Sequence, residues 1–389
     1  MVGVGQLGII GIGAVASFFM AWTVGAGWTP YAPGVGARRM TVMRAAFFTG
    51  LFGILGAVVQ GQNVTEAISA GLINGVTLSP VAAVIALVVA AGLVAIGIFA
   101  GYPLATAFTA TGAVIGVGLA LGGAPAYAKY QQILLLWVLT PVFCGGIAYG
   151  LARLIRRDDV PDEYSIPLFG VLVGLILANS PFTFLAPESG GASVAAVAAE
   201  SLPVPSFVGL VAATLFVALV FGAILLIEVR TDVKTGQRHL LFGIGALVSF
   251  SAGGSQVGLA VGPLAPMTIP IGLSLAVVLL FGGIGVMLGA WMGAPRMIKA
   301  LARDFSSLGP RRATAALIPA FAIAQTAVLF GIPVSFNEIV VSAIIGSGYA
   351  AGAGRVSKKK MFYTVLGWVV SLLLSFVLAY GAFVGVGLI

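Results

Sequence analysis

Charged residues are scarce in this chain of 389 residues. Asp, Glu, Lys and Arg together make up 8% of it, whereas 60% of its residues are hydrophobic. Soluble globular proteins carry about 25% charged residues, so this composition excludes an ordinary water-soluble domain. It predicts an all-α polytopic membrane protein, because a helix satisfies its own backbone hydrogen bonds inside a bilayer.

Cysteine and histidine are nearly absent. Cys144 is the single cysteine and His239 the single histidine, which excludes an intramolecular disulfide and argues against a metal site built from these residues. Glu338 is the one residue among Asp, Glu, Lys, Arg and His that lies clearly within an apolar segment. The sequence therefore predicts no enzyme chemistry and no cofactor.

The net charge of +8 comes from Lys and Arg in short loops between apolar segments. Basic loops of this kind stay on the cytoplasmic side of a membrane. We therefore interpret the charge as a signal for orientation and expect contact with membrane lipid, not with nucleic acid.

Twelve segments are apolar over about 20 residues, the length that crosses a bilayer. They are 6–27, 45–61, 80–100, 101–122, 131–152, 165–185, 204–227, 240–261, 268–292, 313–330, 331–350 and 361–388. Two of them, 101–122 and 331–350, follow the preceding span without a polar loop. We expect each of these to form a broken helix or a re-entrant hairpin with its neighbour.

The basic loops predict the orientation of the chain. If the N-terminus lies outside and twelve spans alternate, every Lys and Arg except Lys129 is on the cytoplasmic side. The segment 187–203 carries Glu188 and Glu200 and no basic residue, as an outside loop should. We predict a multi-pass protein of the plasma membrane with both termini outside.

A Gly-x-Pro frame occurs twice, in GYPLATAFTA at 101–110 and GIPVSFNEIV at 331–340. The glycine-rich stretches TVGAGWTPYAPGVG and SAGGSQVGLAVGPL precede these frames at nearly the same offset. The loop after the first stretch, ARRMTVMR, is basic, whereas the loop after the second, APMTIPIG, is uncharged. This pattern predicts two inverted-topology repeats, 1–130 and 236–389, with central spans over 131–235. Such repeats, with broken helices, are typical of secondary transporters.

The glycine-rich stretches and the Gly-x-Pro frames contain the residues that could bind a ligand. Pro30 and Pro33 interrupt the helical hydrogen bonds, so we expect free N–H groups there, and free N–H groups at a helix N-terminus bind anions. A kinked helix end at the first stretch and simple helix capping at the frames are the alternatives. If two glycine breaks and two helix starts converge, they form one oxyanion pocket. The candidate binding residues are Gly25, Ala26, Gly27, Trp28, Thr29, Thr106, Gly253, Gly254, Ser255, Gln256, Ser335 and Asn337.

The pattern resembles the inorganic phosphate transporter (PiT) family, whose halves each carry a GANDVANA-like and a G-x-PVSTTH-like stretch. WTVGAGWTPYA and GGSQVGLAVGPLA are similar to the first signature, and GYPLATAF and GIPVSFNE to the second. GAVVQGQNVTEAI and GVMLGAWMGAPRMIKAL are also similar to that family. The resemblance implies ion-coupled transport of phosphate and leaves a homodimer open.

The sequence departs from the family at the Asn-Asp pairs, which are replaced by Gly27-Trp28 and Ser255-Gln256. Phosphate keeps one or two protons near neutral pH and benefits from a hydrogen-bond acceptor, whereas sulfate needs only donors. The loss of both acidic residues favours sulfate or a similar oxyanion, whereas the resemblance favours phosphate. Phosphate is the first choice for the substrate on the strength of the resemblance, and a sulfate permease of the same fold is the alternative. An anion channel is the alternative from another class.

Glu338 lies five residues after Pro333, where the family-like motif has histidine. Ionisable residues inside spans mark ion or proton pathways by default. An ionised Glu would repel an oxyanion, so Na⁺ or a proton must neutralise it when substrate is bound. We predict that Glu338 couples transport to one of these ions. A structural carboxylate that binds a free backbone amide or a water is the alternative.

We predict that cysteines introduced at Ser189 and Ser307, in a Cys144→Ala background, react with an impermeant thiol reagent from opposite sides of the membrane. Ser189 belongs to the acidic segment and Ser307 to a basic loop. Labelling of both from the same side would contradict the topology.

Overall fold

The computed structural model describes residues 4–155, 161–268, 271–304, 308–352 and 356–387. The helices before residue 127 are α1 (Val4–Ala26), α2 (Ala32–Gly36), α3 (Val42–Gln60), α4 (Gln62–Ala70), α5 (Pro80–Ala100) and α6 (Thr106–Ala120). The next are α7 (Tyr127–Leu154), α8 (Asp162–Ala178), α9 (Val194–Glu200), α10 (Ser206–Thr231), α11 (Val233–Val261) and α12 (Ala265–Thr268). The last are α13 (Leu275–Met292), α14 (Ala294–Asp304), α15 (Pro310–Phe330), α16 (Phe336–Tyr349) and α17 (Lys358–Gly387).

Short ribbons and turns connect some of these helices. β1 (Ile73–Asn74) pairs antiparallel with β2 (Ala124–Pro125), and β3 (Pro181–Phe182) pairs antiparallel with β4 (Ala192–Ser193). Two 3₁₀ turns cover Thr183–Leu185 and Pro187–Ser189.

All twelve predicted spans coincide with helices. In the described part of the chain, nine helices are long and apolar enough to cross a membrane, namely α1, α3, α5, α7, α10, α11, α13, α15 and α17. The other three predicted spans correspond to α6, α8 and α16, which have 15, 17 and 14 residues. The all-helical polytopic fold is confirmed, and the number of complete crossings stays a prediction.

The two Gly-x-Pro frames end helices at equivalent points. Gly101 is the C-cap of α5 and Gly331 is the C-cap of α15. Their φ angles of 77° and 56° lie in the left-handed region that glycine tolerates. Pro103 and Pro333 follow two residues later and do not continue the helix. A short linker then leads to α6 or α16, so each frame joins a long helix to a short one.

The two resulting hairpins have their bases at opposite ends of α11. Pairing of β1 with β2 joins the start of α5 to the end of α6. Arg311, in α15, and Ala351, after α16, line one cavity with Gln237 at the start of α11. Ile68, just before β1, instead packs against Gly262 at the far end of α11. α6 and α16 rise only about 22 and 21 Å, less than the roughly 30 Å of hydrocarbon, so we expect both linkers to lie within the bilayer.

The packing of the first half recurs in the second. α1 packs against α5 and α13, and α11 packs correspondingly against α15 and α3. α6 packs against α17, and α16 packs against α7. Each half therefore supplies packing partners for the other half.

The second glycine-rich stretch does not break its helix, contrary to the prediction. Residues 253–256 lie inside α11, which is continuous over 29 residues. The stretch contains no proline before Pro263, so no helical hydrogen bond is lost within it. Its glycines serve close packing instead, because a Cβ on Gly253 would overlap the carbonyl oxygen of Gly53 in α3.

Polar contacts gather basic loops at one end of the molecule. Arg39 Nη2, before α3, donates to Gln237 Oε1 at 3.3 Å. Arg311 Nε pairs with Asp162 Oδ1 at 2.7 Å. Because Gln237, Arg311 and Asp162 also line one cavity, these loops share a side, as the predicted topology requires. Ser307 lies outside the described residues, and the side that faces the cytoplasm stays a prediction.

We predict that Gly253→Ala lowers the melting temperature of the purified protein by several degrees. Overpacking a dense interior costs about 1–3 kcal/mol. Gly243→Ala in the same helix is the matched control, because no heavy atom lies within 4 Å of its Cβ position. Thermal unfolding in detergent, followed by tryptophan fluorescence, compares the two. Equal melting temperatures for both variants would overturn the packing explanation.

Candidate functional site

The candidate site is organised around four carbonyl groups in the two linkers. Pro103 and Leu104 contribute two of them, and Pro333 and Val334 contribute the equivalent two. Each carbonyl oxygen accepts a hydrogen bond from a side chain of a helix outside its own linker. Backbone that leaves a helix inside a membrane needs such partners.

Two tryptophans bind the proline carbonyls. Trp368 Nε1 of α17 donates to Pro103 O, and Trp137 Nε1 of α7 donates to Pro333 O, both at 2.8 Å. Phe108 of α6 stacks on Trp137, with ring centroids 3.7 Å apart. The second linker is therefore tied to a helix of the first hairpin through an aromatic pair.

Two amide side chains bind the next carbonyls. Asn337 Nδ2 of α16 donates to Leu104 O at 2.8 Å. Gln256 Nε2 of α11 donates to Val334 O, and its Oε1 accepts a hydrogen bond from Thr106 Oγ1 at 2.8 Å. The structure thus brings both frames together with the second glycine-rich stretch.

The first glycine-rich stretch joins this centre at Gly27, where α1 has ended. A Cβ on Gly27 would lie 3.4 Å from Asn337 Nδ2. The N–H groups of Gly27 and Trp28 donate to carbonyls of the preceding turn, so they are not the free donors that the sequence suggested. The polar groups that this stretch offers are instead the side chains of Trp28 and Thr29.

The remaining predicted residues lie inside helices. Gly25 and Ala26 form the end of α1, and Gly25 packs against the backbone of α13. Gly254 packs against the side chain of Gln60. Ser255 Oγ donates to a carbonyl three residues earlier in its own helix, at 3.4 Å. These residues and Gly253 shape the packing around the centre, and their part in binding stays a prediction.

Five buried polar atoms of the predicted residues have no hydrogen-bond partner within the described part of the chain. They are Trp28 Nε1, Thr29 Oγ1, Ser335 Oγ, Asn337 Oδ1 and Glu338 Oε2. A buried polar atom without a partner costs about 1–3 kcal/mol, and native structures contain few of them. Five threonine hydroxyls elsewhere in the described chain also lack partners, so it is the location of the five atoms of the predicted residues, on stretches that meet at one centre, that fits a polar ligand.

Ser335 is the N-cap of α16, but its side chain makes no cap hydrogen bond. A serine at this position usually accepts a hydrogen bond from the first turn, as Ser79 and Ser274 do for α5 and α13. The N-cap of α6 is Ala105, whose methyl side chain has no group that could accept such a bond. Simple capping does not explain Ser335, and the first-turn N–H groups of both short helices lack intrahelical acceptors.

Glu338 occupies the first turn of α16 and is 1% exposed. Among the described residues it is the one buried Asp, Glu, Lys, Arg or His. Ion pairs join His239 to Glu228 and Arg311 to Asp162, and within the described residues no basic side chain is found paired with Glu338. A carboxylate buried without a cation is strongly disfavoured, whereas the N-terminus of α16 contributes only partial positive charge.

The sequence analysis missed a buried amide pair beside the site. Gln60 Nε2 donates to Gln325 Oε1, and Gln325 Nε2 donates back to Gln60 Oε1, both at 3.1 Å. Gln325 Nε2 also donates to Ser251 Oγ at 2.7 Å. The pair joins α3, α11 and α15 next to Gly254. Gln60 and Gln325 each lie inside a predicted span, and a polar amide in such a segment could have indicated this pair.

The fold and this centre define a class of protein. Two hairpins with bases at opposite ends meet at linkers within the membrane, around polar atoms that lack partners. Substrate sites of secondary transporters form where discontinuous helices meet near the bilayer midplane. A family model described as the phosphate transporter family matches residues 29–379. The chain belongs to that family, and it is a membrane transporter and not an enzyme.

Several known proteins are similar to this chain. The inorganic phosphate transporter 2-1 of Arabidopsis thaliana, described as chloroplastic, is 24% identical over 91% of this chain and 68% of its own length. A putative phosphate permease of Chlamydia muridarum is 27% identical over 92% of this chain and 93% of its own. A solved structure described as the sodium-dependent phosphate transporter superposes with a TM-score of 0.81. It is 24% identical, covering 98% of this chain and 99% of that one.

We predict that Ser335→Ala leaves the melting temperature of the ligand-free protein unchanged, because Ser335 Oγ makes no cap hydrogen bond. Ser274→Ala removes a cap at an exposed position and should lower it by a few degrees, for a loss of about 1 kcal/mol. Excess phosphate should raise the melting temperature of the wild type and of Ser274→Ala more than that of Ser335→Ala. Equal phosphate-induced shifts in all three proteins would remove Ser335 from the site.

Proposed function

We propose that this chain is a secondary active transporter of a tetrahedral inorganic oxyanion, with inorganic phosphate as its substrate. Transport is coupled to Na⁺ or H⁺, and no other cofactor takes part. The observation that carries the proposal is the set of unpaired buried polar atoms at the start of α16 and just after the end of α1. Membership of the phosphate transporter family and the names of the relatives support the choice of phosphate.

The site offers hydrogen-bond donors of the kind that bind an oxyanion. The N-termini of α6 and α16 carry partial positive charge and N–H groups without intrahelical acceptors. Trp28 Nε1, Thr29 Oγ1 and Ser335 Oγ add unpaired donors in the same stretches. Backbone N–H groups and the helix dipole favour an anion at a helix N-terminus, and no basic side chain is buried among the described residues.

One acceptor favours phosphate over sulfate. Asn337 Nδ2 faces the Leu104 carbonyl oxygen, which fixes the orientation of the amide, because two oxygens would repel each other there. Asn337 Oδ1 is then the unpaired acceptor. A protonated phosphate oxygen donates to an acceptor of this kind, and fully ionised sulfate does not.

The two hairpins also suggest the mode of transport. We interpret 1–130 and 236–389 as inverted repeats around the central spans 131–235, supported by the corresponding packing of the two halves. Rocking of such repeats about a fixed central site gives alternating access, which favours a carrier over an anion channel. We place the protein in the plasma membrane with both termini outside.

Counterflow in proteoliposomes tests this function. Vesicles loaded with unlabelled phosphate should accumulate labelled phosphate transiently, with saturation at rising substrate concentration. Parallel assays with labelled sulfate and arsenate test the competing anions. Counterflow of sulfate without phosphate would establish the sulfate permease, and flux that does not saturate would establish the channel.

We predict that Glu338→Gln retains phosphate counterflow but loses gradient-driven accumulation. Glutamine keeps the volume of the side chain and mimics its neutral form. The carrier therefore still exchanges phosphate for phosphate across the membrane, but it no longer carries the coupling ion. Uptake is measured with a Na⁺ gradient and, separately, with a pH gradient. The gradient that drives the wild type identifies the coupling ion.

Glu66→Gln is the matched control, because Glu66 is exposed and accepts a hydrogen bond only from Gln62 among the bonds described for its side chain. Its uptake should equal that of the wild type under both gradients. If Glu338→Gln also accumulates phosphate like the wild type, then Glu338 is a structural residue.

A further inference from the structure

A second cavity lies at the end of the molecule that gathers the basic loops. It has a volume of about 340 Å³ and lies between the α2–α3 loop and the start of α11. Arg39, Arg44 and Arg238 line it, together with His239. Arg39 precedes α3, Arg44 lies in the first turn of α3 and Arg238 lies in α11, so the fold brings charges that are distant in sequence to one volume.

The described lining of this cavity carries more positive than negative charge. None of the described residues that line it is acidic. Glu228 pairs with His239 at 3.0 Å, and Arg39 donates to the neutral amide of Gln237. The ion pairs of the described chain do not include Arg39, Arg44 or Arg238. Neighbouring like charges repel each other, and a bound anion would relieve that repulsion.

The backbone beside the cavity is in an unfavourable conformation. Arg38 has a φ of 56° and is the one non-glycine residue with positive φ in the described chain. Arg38 N donates to Val35 O at 2.9 Å, and Arg39 N donates to Gly34 O at 3.1 Å. This turn ends α2 where glycine is the usual residue. Strained backbone of this kind clusters at functional sites, and here it precedes the arginine that lines the cavity.

Tyr31 lies in the wall of the cavity, on the stretch of chain that also contributes to the central site. Its ring lines the cavity, and its hydroxyl donates to Phe242 O at 3.2 Å. The ring also packs against Gly245 of α11. Two residues earlier in the chain, Thr29 presents one of the unpaired atoms of the central site. Tyr31 therefore links the wall of the cavity to the stretch that carries Thr29.

We propose that this cavity is a second binding site for a phosphate group, at the mouth of the transport path. It rests on the proposed function and extends it, because the three guanidiniums would concentrate the anion next to Tyr31. Guanidinium groups bind phosphate oxygens through paired N–H donors, and a cleft lined by one sign of charge raises the local concentration of its counter-ion. Orientation in the membrane explains why the loops are basic but not why three arginines share one cavity.

The test measures the half-saturating phosphate concentration separately from each face of the membrane. Proteoliposomes of one orientation are selected by blocking the other population with an impermeant reagent at a Ser189→Cys site in the Cys144→Ala background. Arg39→Gln combined with Arg238→Gln should raise the half-saturating concentration about tenfold at the face with the basic loops, because each lost charged hydrogen bond weakens binding severalfold. The value at the opposite face should not change.

Lys358→Gln combined with Lys359→Gln is the matched control. It removes the same amount of charge from the basic start of α17, but neither lysine lines the cavity. Its half-saturating concentrations should equal those of the wild type. If both double variants behave alike, general surface charge explains the effect and the site is refuted. Absence of phosphate counterflow by the wild type would instead refute the proposed function.

The phosphate group has two sources, the free anion and a lipid headgroup. Vesicles of phosphatidylcholine alone are compared with vesicles that also contain phosphatidylglycerol. An effect of the arginine variants in both identifies free phosphate as the ligand, whereas an effect only with phosphatidylglycerol identifies the anionic headgroup. Unchanged half-saturation in both compositions overturns the proposal.

Discussion

The hydrogen bonds to four linker carbonyls are the constraint on which the rest of the structure depends. The carbonyls belong to Pro103, Leu104, Pro333 and Val334, at points where two helices have ended. Inside a membrane there is no bulk water to donate hydrogen bonds to them. Two indoles and two amides supply the missing donors. The structure tolerates these helix breaks because neighbouring helices carry side-chain donors at the level of the four carbonyls.

These bonds also couple the two halves of the chain. Asn337 belongs to the second hairpin and binds the first linker, whereas Gln256 binds the second linker and the first short helix. Neither hairpin moves independently of the other without leaving a buried carbonyl unpaired, which costs about 1–3 kcal/mol. The same side chains that satisfy the backbone therefore fix the spacing of the two helix N-termini at the site.

The sequence predicted what depends on composition and local chemistry. Gly101 and Gly331 with the prolines that follow them marked both helix breaks, and apolar length marked the spans. It predicted a break at residues 253–256 wrongly, because glycine spacing alone does not distinguish a broken helix from a close helix contact. The partners of Gly253 in α3, and the tryptophans that bind the proline carbonyls, depend on long-range packing that no local pattern contains.

The shortage of charge at the centre has a consequence for coupling. Apart from Glu338, the described residues around the site offer neutral amides, hydroxyls and an indole. An oxyanion bound there and an ionised Glu338 would repel each other in a medium of low polarity. A cation or proton on Glu338 removes that repulsion, so each of the two ligands strengthens the binding of the other. Such reciprocity is a thermodynamic necessity of linked sites, so the proposed coupling through Glu338 needs only this one carboxylate at the centre.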